Sequence, residues 1–160
     1  MGKEASKTER ADLKQIYIEK MEEEDLEEII AIERVSFPSP WTKNMFLQEL
    51  KDSDLSHFLV ARMDESVVGY GGFSRFFDKA HISNLAVHPR FRRRKIAEKL
   101  LLSMLDLAKA QGIREATLEV RAGNLPAQNL YGKFGFKVTG RHQRYYQDTR
   151  EDALIMSLKL

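Results

Sequence analysis

Residues 84–101 read NLAVHPRFRRRKIAEKLL, and this stretch decides the fold. Its apolar start predicts a buried strand over residues 81–87, which Pro89 closes. A loop of arginines follows, and apolar residues then recur at helical spacing from about residue 94 to 110, where Gly112 stops the helix. The unpaired N–H groups and positive dipole end of a helix N-terminus favour an anion, such as a cofactor phosphate. An exposed basic patch is the alternative, and these residues alone leave both open.

The rest of the chain predicts strands and helices in regular succession. Two prolines within residues 37–41 (FPSPW) require a loop, and the polar residues 64–66 predict a hairpin turn. Antiparallel strands come first and strand–helix–strand units follow. This order predicts an α/β (α+β) domain with a mixed, mostly antiparallel central sheet flanked by helices. The predicted strands cover residues 15–20, 57–62, 67–73, 81–87, 116–120, 136–141 and 153–158, and the helices lie near 26–30, after Thr42, over 94–110 and from Pro126 to near Gly135.

The composition fits one compact domain. Of the 160 residues, 42% are hydrophobic and 31% are charged, which is enough apolar material for a full core. We expect a flexible tail over residues 1–14 and a single domain over residues 15–160. The net charge is only +2, which gives no general drive toward nucleic acid or an acidic membrane.

The residue types present exclude or disfavour several kinds of site. The chain has no cysteine, so disulfides, thiolate metal sites and a cysteine nucleophile are excluded. Its four histidines lack metal-ligand spacing, and we expect no metal site. No segment offers the roughly 20 apolar residues of a membrane helix, and none resembles a signal peptide. We therefore expect a cytoplasmic protein, and the sequence leaves its oligomeric state open.

A second informative segment, residues 118–136, reads LEVRAGNLPAQNLYGKFGF. Together with residues 84–101, it resembles the GNAT superfamily of acetyl-CoA-dependent N-acetyltransferases, and the resemblance covers about residues 16–160. The family's first pattern is V-x-P, a loop Q/R-x-x-G-x-G/A and a helix that continues LL; its second is Asn, Ala, LY and GF. The matching residues are Val87, Pro89, Arg92, Ala97 and Leu100–Leu101, and then Asn124, Ala127, Leu130–Tyr131 and Gly135–Phe136.

The resemblance implies acetyl-CoA as the cosubstrate. In this family the strand's backbone pairs with the pantetheine arm, while the loop and the start of the helix hold the pyrophosphate. Asn124 is expected to contact the cofactor, to cap its own helix, or to do both. The implied cofactor-binding residues are Leu85, Ala86 and Val87 on the strand, and Arg92, Arg93, Arg94, Lys95, Ile96, Ala97 and Glu98 in the loop and helix.

Lys95 departs from the family pattern, because it stands where the family has its central glycine. Glycine is used where the backbone has positive φ or approaches a ligand closely. A lysine in the left-handed region costs about 1 kcal/mol or somewhat more. Either its ammonium contacts phosphate and offsets part of that cost, or the loop has shifted and binds the cofactor weakly.

Two residues are candidates for the acid–base chemistry. Glu119 is the candidate general base, acting directly or through a water on an α-amine whose pKa is about 7.7–8.0. Strand alternation places Glu119 on one face with Thr117 and Arg121. The resemblance makes Tyr131 the acid for the leaving thiolate. A phenol, with a pKa of about 10 against about 8.5 for a thiol, still carries its proton at neutral pH. The alternatives are an ordinary exposed strand glutamate and a core aromatic with its hydroxyl paired.

Within the superfamily, the chain most resembles the RimI-type N-alpha-acetyltransferases. Residues 33–37, 40–41, 118–121, 145–146 and 151–156 carry that resemblance. It implies that the acceptor is the N-terminal alanine of a small-subunit ribosomal protein. Trp41, Tyr145 and Tyr146 either line the acceptor groove or simply pack. Glu33 lies on the apolar side of its helix, where it either grips the acceptor's ammonium or is paired structurally.

Other functions remain open at this point. One is a GNAT enzyme that acetylates a small-molecule amine or a lysine side chain. Another is a non-catalytic, CoA-binding GNAT protein, for which Lys95 is the motivation. Nucleic-acid binding through the basic run 90–95 is disfavoured, because the run is short and the net charge is near neutral.

Overall fold

The computed structural model describes residues 16–160, and the predicted order of strands and helices is confirmed. The expected tail over residues 1–14 lies outside the described residues, as does Gln15. The strands are β1 Ile16–Lys20, β2 Ser56–Met63, β3 Ser66–Phe76, β4 Lys79–Val87, β5 Glu115–Arg121, β6 Lys137–His142 and β7 Ala153–Lys159. The helices are α1 Leu26–Ser36, α2 Lys43–Lys51, α3 Ile96–Ala110 and α4 Leu125–Lys133, and short 3-10 turns span Glu23–Asp25 and Pro89–Phe91.

The bounds of two helices correct the prediction. Helix α3 begins at Ile96 rather than near Arg94, because Lys95 before it adopts a left-handed conformation with φ 62°. Helix α4 begins at Leu125, capped by the Asn124 side chain, and it ends at Lys133. Both differences arise from backbone conformation at a terminus, which hydrophobic periodicity does not report.

Seven strands form one sheet in the order β1-β2-β3-β4-β5-β7-β6. Only β4 and β5 run parallel, and every other neighbouring pair is antiparallel. The predicted mixed, mostly antiparallel sheet is therefore confirmed. The parallel pair requires a crossover connection, which α3 supplies.

The parallel pair is incomplete, and this creates an opening in the middle of the sheet. Pairing between β4 and β5 runs from Lys79 opposite Glu115 only to Ile82 opposite Leu118. Beyond that point β4 continues to pair with β3 as far as Val87. The second half of β4 therefore has hydrogen-bonding partners in the sheet on its β3 side alone.

Helices cover both faces of the sheet, in agreement with the predicted central sheet flanked by helices. Neighbouring strand residues point to opposite faces, and Val67 packs in one core cluster while Val68 packs in another. The Val67 side is covered by α1 and α2, with Phe46 fully buried. The other side is covered by α3, whose Leu100 and Leu101 are fully buried.

We predict that Gly72→Ala destabilises the fold. Gly72 lies opposite Phe58 in the β2–β3 ladder, and an added Cβ would come within 2.3 Å of the Phe58 ring. Forcing that buried ring aside should lower the free energy of unfolding by about 1–3 kcal/mol in urea denaturation. Gly132→Ala is the matched control: an added Cβ there meets nothing within 4 Å, so about 0.4–1 kcal/mol of stabilisation is expected. Equal urea midpoints for the two variants would contradict this packing.

Candidate active site

Two cavities meet at the opening between β4 and β5. One, of about 490 Å³, lies between the α1–α2 loop and the β6–β7 loop, and we call it the loop cavity. The other, of about 830 Å³, lies against the N-terminal ends of α3 and α4, and we call it the helix cavity. The residues that line both cavities are Ser36, Phe37, Leu85, Asn124, Ala127 and Tyr131.

The turn before α3 shapes the helix cavity. Arg93 and Lys95 both have positive φ, at 64° and 62°. Of the two alternatives for Lys95, the structure has the left-handed conformation, at a cost of about 1–2 kcal/mol. The turn presents the first N–H groups of α3, which have no partners within the helix, to a cavity that Arg92, Arg93 and Lys95 also line. This is an arrangement suited to phosphate groups.

Most of the predicted cofactor residues lie around the helix cavity, and Arg94 is the exception. Its guanidinium carbon lies 5.4 Å from the centre of the Phe91 ring, and it lines a separate shallow cavity. The left-handed residues on either side of Arg94 account for this, because they turn the backbone twice within three residues. The predicted residues that line the helix cavity are Leu85, Ala86, Val87, Arg92, Arg93, Lys95, Ile96, Ala97, Glu98 and Asn124.

Asn124 caps a helix at the point where the two cavities meet. Its Oδ1 accepts a hydrogen bond from the Ala127 N–H at 3.2 Å and so caps α4. The residue also lines both cavities. The helix cap therefore holds Asn124 where the two cavities meet, and its contact with the cofactor stays a prediction.

Glu119 forms a close pair with His81, which the sequence analysis did not single out. His81 Nε2 and Glu119 Oε2 are 2.5 Å apart, and both side chains are partly exposed. The hydrogen bond from His81 lowers the pKa of Glu119, and the same bond together with the carboxylate charge raises the pKa of His81. The signal that could have revealed the pair is the parallel register, which sets His81 opposite Thr117, two residues from Glu119 on the same face.

Glu33 is buried and serves as a junction between three elements. Its Oε2 accepts a hydrogen bond from the Trp41 backbone N–H at 2.8 Å, and its Oε1 accepts from the Tyr70 hydroxyl and from Asn84 Nδ2 at 3.3 Å. Burial, reinforced by the Glu33 charge, raises the pKa of Tyr70. Both carboxylate oxygens are thus held by the protein, which favours the structural alternative for Glu33.

Trp41, in the α1–α2 loop, is partly buried. Its ring centre lies 5.1 Å from that of Phe46 and 6.1 Å from that of Phe58. The residue also lines the loop cavity, together with Phe37. Trp41 therefore both packs against these rings and lines the cavity.

Arg121 holds the β6–β7 loop against the loop cavity. Its two terminal nitrogens donate to the Asp148 carboxylate at 3.1 and 2.8 Å, and its guanidinium carbon lies 3.9 Å from the centre of the Tyr146 ring. Asp148 also accepts from the Ser39 hydroxyl at 3.1 Å, and the Arg121 hydrogen bonds lower the pKa of Asp148 to about 2. Tyr145 and Tyr146 also line this cavity.

Tyr131 lies at the junction of the two cavities. It sits in α4 and is 8% exposed, with its ring centre 5.5 Å from that of Phe136. Burial raises the pKa of its hydroxyl, so the phenol stays protonated throughout the neutral range. The ring packs in the core while the residue lines both cavities.

The described part of the chain also bears on metal binding and on membrane spanning. Across residues 16–160, no group of three or more His, Asp or Glu side chains is placed to hold a metal ion. None of the helices within that range is long and apolar enough to cross a membrane.

Comparison with known proteins assigns the family. Residues 26–136 match the acetyltransferase (GNAT) family. This chain belongs to the GNAT family. The match spans the opening between β4 and β5 and both predicted signature segments, and members of this family use acetyl-CoA. The resemblance inferred from the two segments is therefore confirmed.

Individual relatives within the family match most of this chain. A Bacillus subtilis protein, provisionally named a ribosomal protein bS18-alanine N-acetyltransferase, is 42% identical over 139 residues, which are 87% of this chain and 92% of that protein. The crystal structure of the Escherichia coli ribosomal-protein-S18-alanine N-acetyltransferase superimposes with a TM-score of 0.82 at 28% identity, covering 90% of this chain and 93% of that one. PaiA N-acetyltransferase from Thermoplasma acidophilum, solved in complex with coenzyme A, superimposes with a TM-score of 0.76 at 27% identity. The match covers 91% of this chain and 99% of that one.

We predict that Glu119→Gln lowers the pKa of His81. The Glu119 hydrogen bond and charge raise that pKa, whereas burial lowers it. Removing the carboxylate charge should bring the pKa to its ordinary value of about 6.5 or below. An NMR titration of the His81 ring in both proteins measures the change, and His57, on another strand, serves as the internal control. An unchanged His81 titration would show that the two side chains are not paired in solution.

Proposed function

We propose that this protein transfers the acetyl group of acetyl-CoA to the N-terminal amine of a protein, with the N-terminal alanine of ribosomal protein bS18 as its acceptor. The observation that carries the proposal is the meeting of the two cavities beside the Glu119–His81 pair. One cavity suits a phosphorylated cofactor, and the other opens between two loops to a peptide end. The names of the Bacillus subtilis and Escherichia coli relatives support this acceptor. We propose a cytoplasmic reaction, because a ribosomal acceptor is made there. We also propose that residues 15–160 form a single domain.

The residues around the helix cavity fit acetyl-CoA. When bound, acetyl-CoA supplies the activated acetyl thioester. The N–H groups of Ile96, Ala97 and Glu98 at the start of α3 would hold its phosphates, with Arg92 and Arg93 adding charge. The β4 edge left without a β5 partner, from Leu85 to Val87, offers backbone groups to the extended pantetheine arm.

The Glu119–His81 pair is suited to removing the proton from the acceptor. An α-ammonium has a pKa of about 7.7–8.0, so a carboxylate with a lowered pKa is by itself a weak base for it. His81, whose pKa is raised, is closer in basicity to the amine. The proton therefore passes to the pair, at the imidazole or through a water, and Glu119 stabilises the resulting imidazolium.

Tyr131 is suited to donating a hydrogen bond to the departing sulfur. Because its pKa is raised, complete proton transfer to a thiolate, whose conjugate acid has a pKa of about 8.5, is uphill. A hydrogen bond from the protonated phenol still stabilises the developing negative charge. The role implied by the resemblance is thus refined from proton donor to hydrogen-bond donor.

A peptide panel tests the proposed acceptor. The purified protein is incubated with acetyl-CoA and peptides that begin with Ala, Ser, Met or Gly, or that carry a blocked N-terminus and an internal lysine, and free thiol release is followed. Release is expected with the free Ala terminus. Release only with the internal lysine would keep the enzyme class and overturn the N-terminal acceptor. No release, with acetyl-CoA binding still seen by calorimetry, would favour a small-molecule acceptor or a non-catalytic binder.

We predict that Tyr131→Phe lowers kcat with little change in acetyl-CoA affinity. The variant keeps the buried ring and removes only the hydroxyl that would face the departing sulfur. Loss of one such donor is expected to lower kcat by about 10²- to 10³-fold. Stopped-flow thiol release measures kcat, and calorimetry measures affinity for acetyl-CoA. Tyr17→Phe, at an exposed position on β1, is the control. Unchanged kcat in Tyr131→Phe would leave the tyrosine with a packing role alone.

A further inference from the structure

Asn84 carries an unusual side-chain oxygen at the floor of the loop cavity. The residue is 6% exposed and lines that cavity from β4. Its Oδ1 is buried, and within residues 16–160 it has no hydrogen-bond partner. Buried polar atoms are nearly always paired, so an unpaired oxygen on a residue that lines this cavity points to a ligand as its partner.

The orientation of the Asn84 amide is determined by its neighbours. Asn84 Nδ2 donates to Glu33 Oε1 at 3.3 Å, and a carboxylate can only accept. The opposite amide orientation would place two oxygens against each other. Glu33 is itself held by the Tyr70 hydroxyl and the Trp41 backbone N–H. The Asn84 oxygen therefore faces away from Glu33, on the side of the amide that has no protein donor.

We propose that Asn84 binds the reacting amine of the acceptor, with Oδ1 accepting one of its N–H groups. This inference rests on the proposed function and names a residue for it. A neutral amide oxygen can accept from an ammonium and from the free amine alike. It cannot take up the proton itself, so it does not compete with the Glu119–His81 pair. One N–H held by Asn84 fixes the direction of the nitrogen lone pair, which must point at the thioester carbon.

Glu33 then acts as a positioning residue through Asn84. Its carboxylate orients the amide, and the negative charge behind Asn84 favours a cationic ligand in front of it. This connects the two alternatives considered for Glu33. The Glu33 carboxylate is paired structurally. Its hydrogen bond from Asn84 Nδ2 orients the Asn84 amide, so that Asn84 Oδ1 is free to accept the amine.

The test compares two peptides as ligands of the CoA-loaded protein, in which no transfer occurs. One has a free N-terminal alanine, and the other has a propanoyl group in its place and so lacks only the amine. Calorimetry gives Kd for each. In the wild type, the free-amine peptide is expected to bind about 10- to 100-fold more tightly, the range for a hydrogen bond to a charged group. In Asn84→Ala this ratio is expected to fall toward one. Tyr70→Phe, which disturbs the same network but keeps Asn84, is expected to retain it.

The outcomes separate the inference from the proposed function. A wild type that does not prefer the free amine would overturn the role of Asn84, whereas the proposed function fails only if the peptide panel shows no thiol release with the free Ala terminus. A preference that survives in Asn84→Ala would overturn only the role of Asn84. Should Asn84→Ala fail to fold, an NMR measurement on the wild type still tests the role of Asn84. The Asn84 side-chain amide resonance is expected to shift with the free-amine peptide and not with its propanoyl counterpart, and equal shifts would overturn the assignment.

Discussion

The site depends on the way β4 and β5 are held apart. Their parallel pairing stops at Ile82 and Leu118, while each strand continues to pair on its outer side. Pairing between β3 and β4 extends to Val87, and pairing between β5 and β7 extends to Arg121. The two halves of the sheet thus diverge without leaving either strand unsupported. The opening between them leaves a free backbone edge on β4 and lets the two cavities meet, and the proposed acetyl transfer uses both.

The buried Glu33 carboxylate connects the elements on one side of the loop cavity. An unpaired carboxylate in a protein interior is costly, and Glu33 meets that cost with donors from the α1–α2 loop, β3 and β4. The same contacts set the position of Trp41 and the orientation of Asn84. On the other side of the cavity, Arg121 holds the β6–β7 loop through its hydrogen bond to Asp148 and its contact with the Tyr146 ring. Each wall of the loop cavity is therefore anchored to the sheet by one ionic side chain.

Local patterns predicted the elements well, and long-range register accounts for what they missed. Alternation along residues 115–121 placed Glu119 on the half-buried face, because strand periodicity depends only on near neighbours. The partner of Glu119 depends on how β4 lies beside β5, 38 residues away in the chain, so His81 escaped notice. The direction of Arg94 was missed for a different reason. It follows from two left-handed residues, and non-glycine residues carry little sequence signal for positive φ.

The left-handed Lys95 shows how a local penalty is carried by the rest of the fold. A strained backbone persists only where its surroundings determine it, and here the residues that follow enter the core at once. Ile96 is 2% exposed and Leu100 is fully buried, so α3 is held against the sheet from its first turn. With the helix held there and His88 bonded to Val68 at the end of β4, the chain between them has little freedom. The packing of α3 thus keeps its N–H groups aimed at the helix cavity even without the family's glycine.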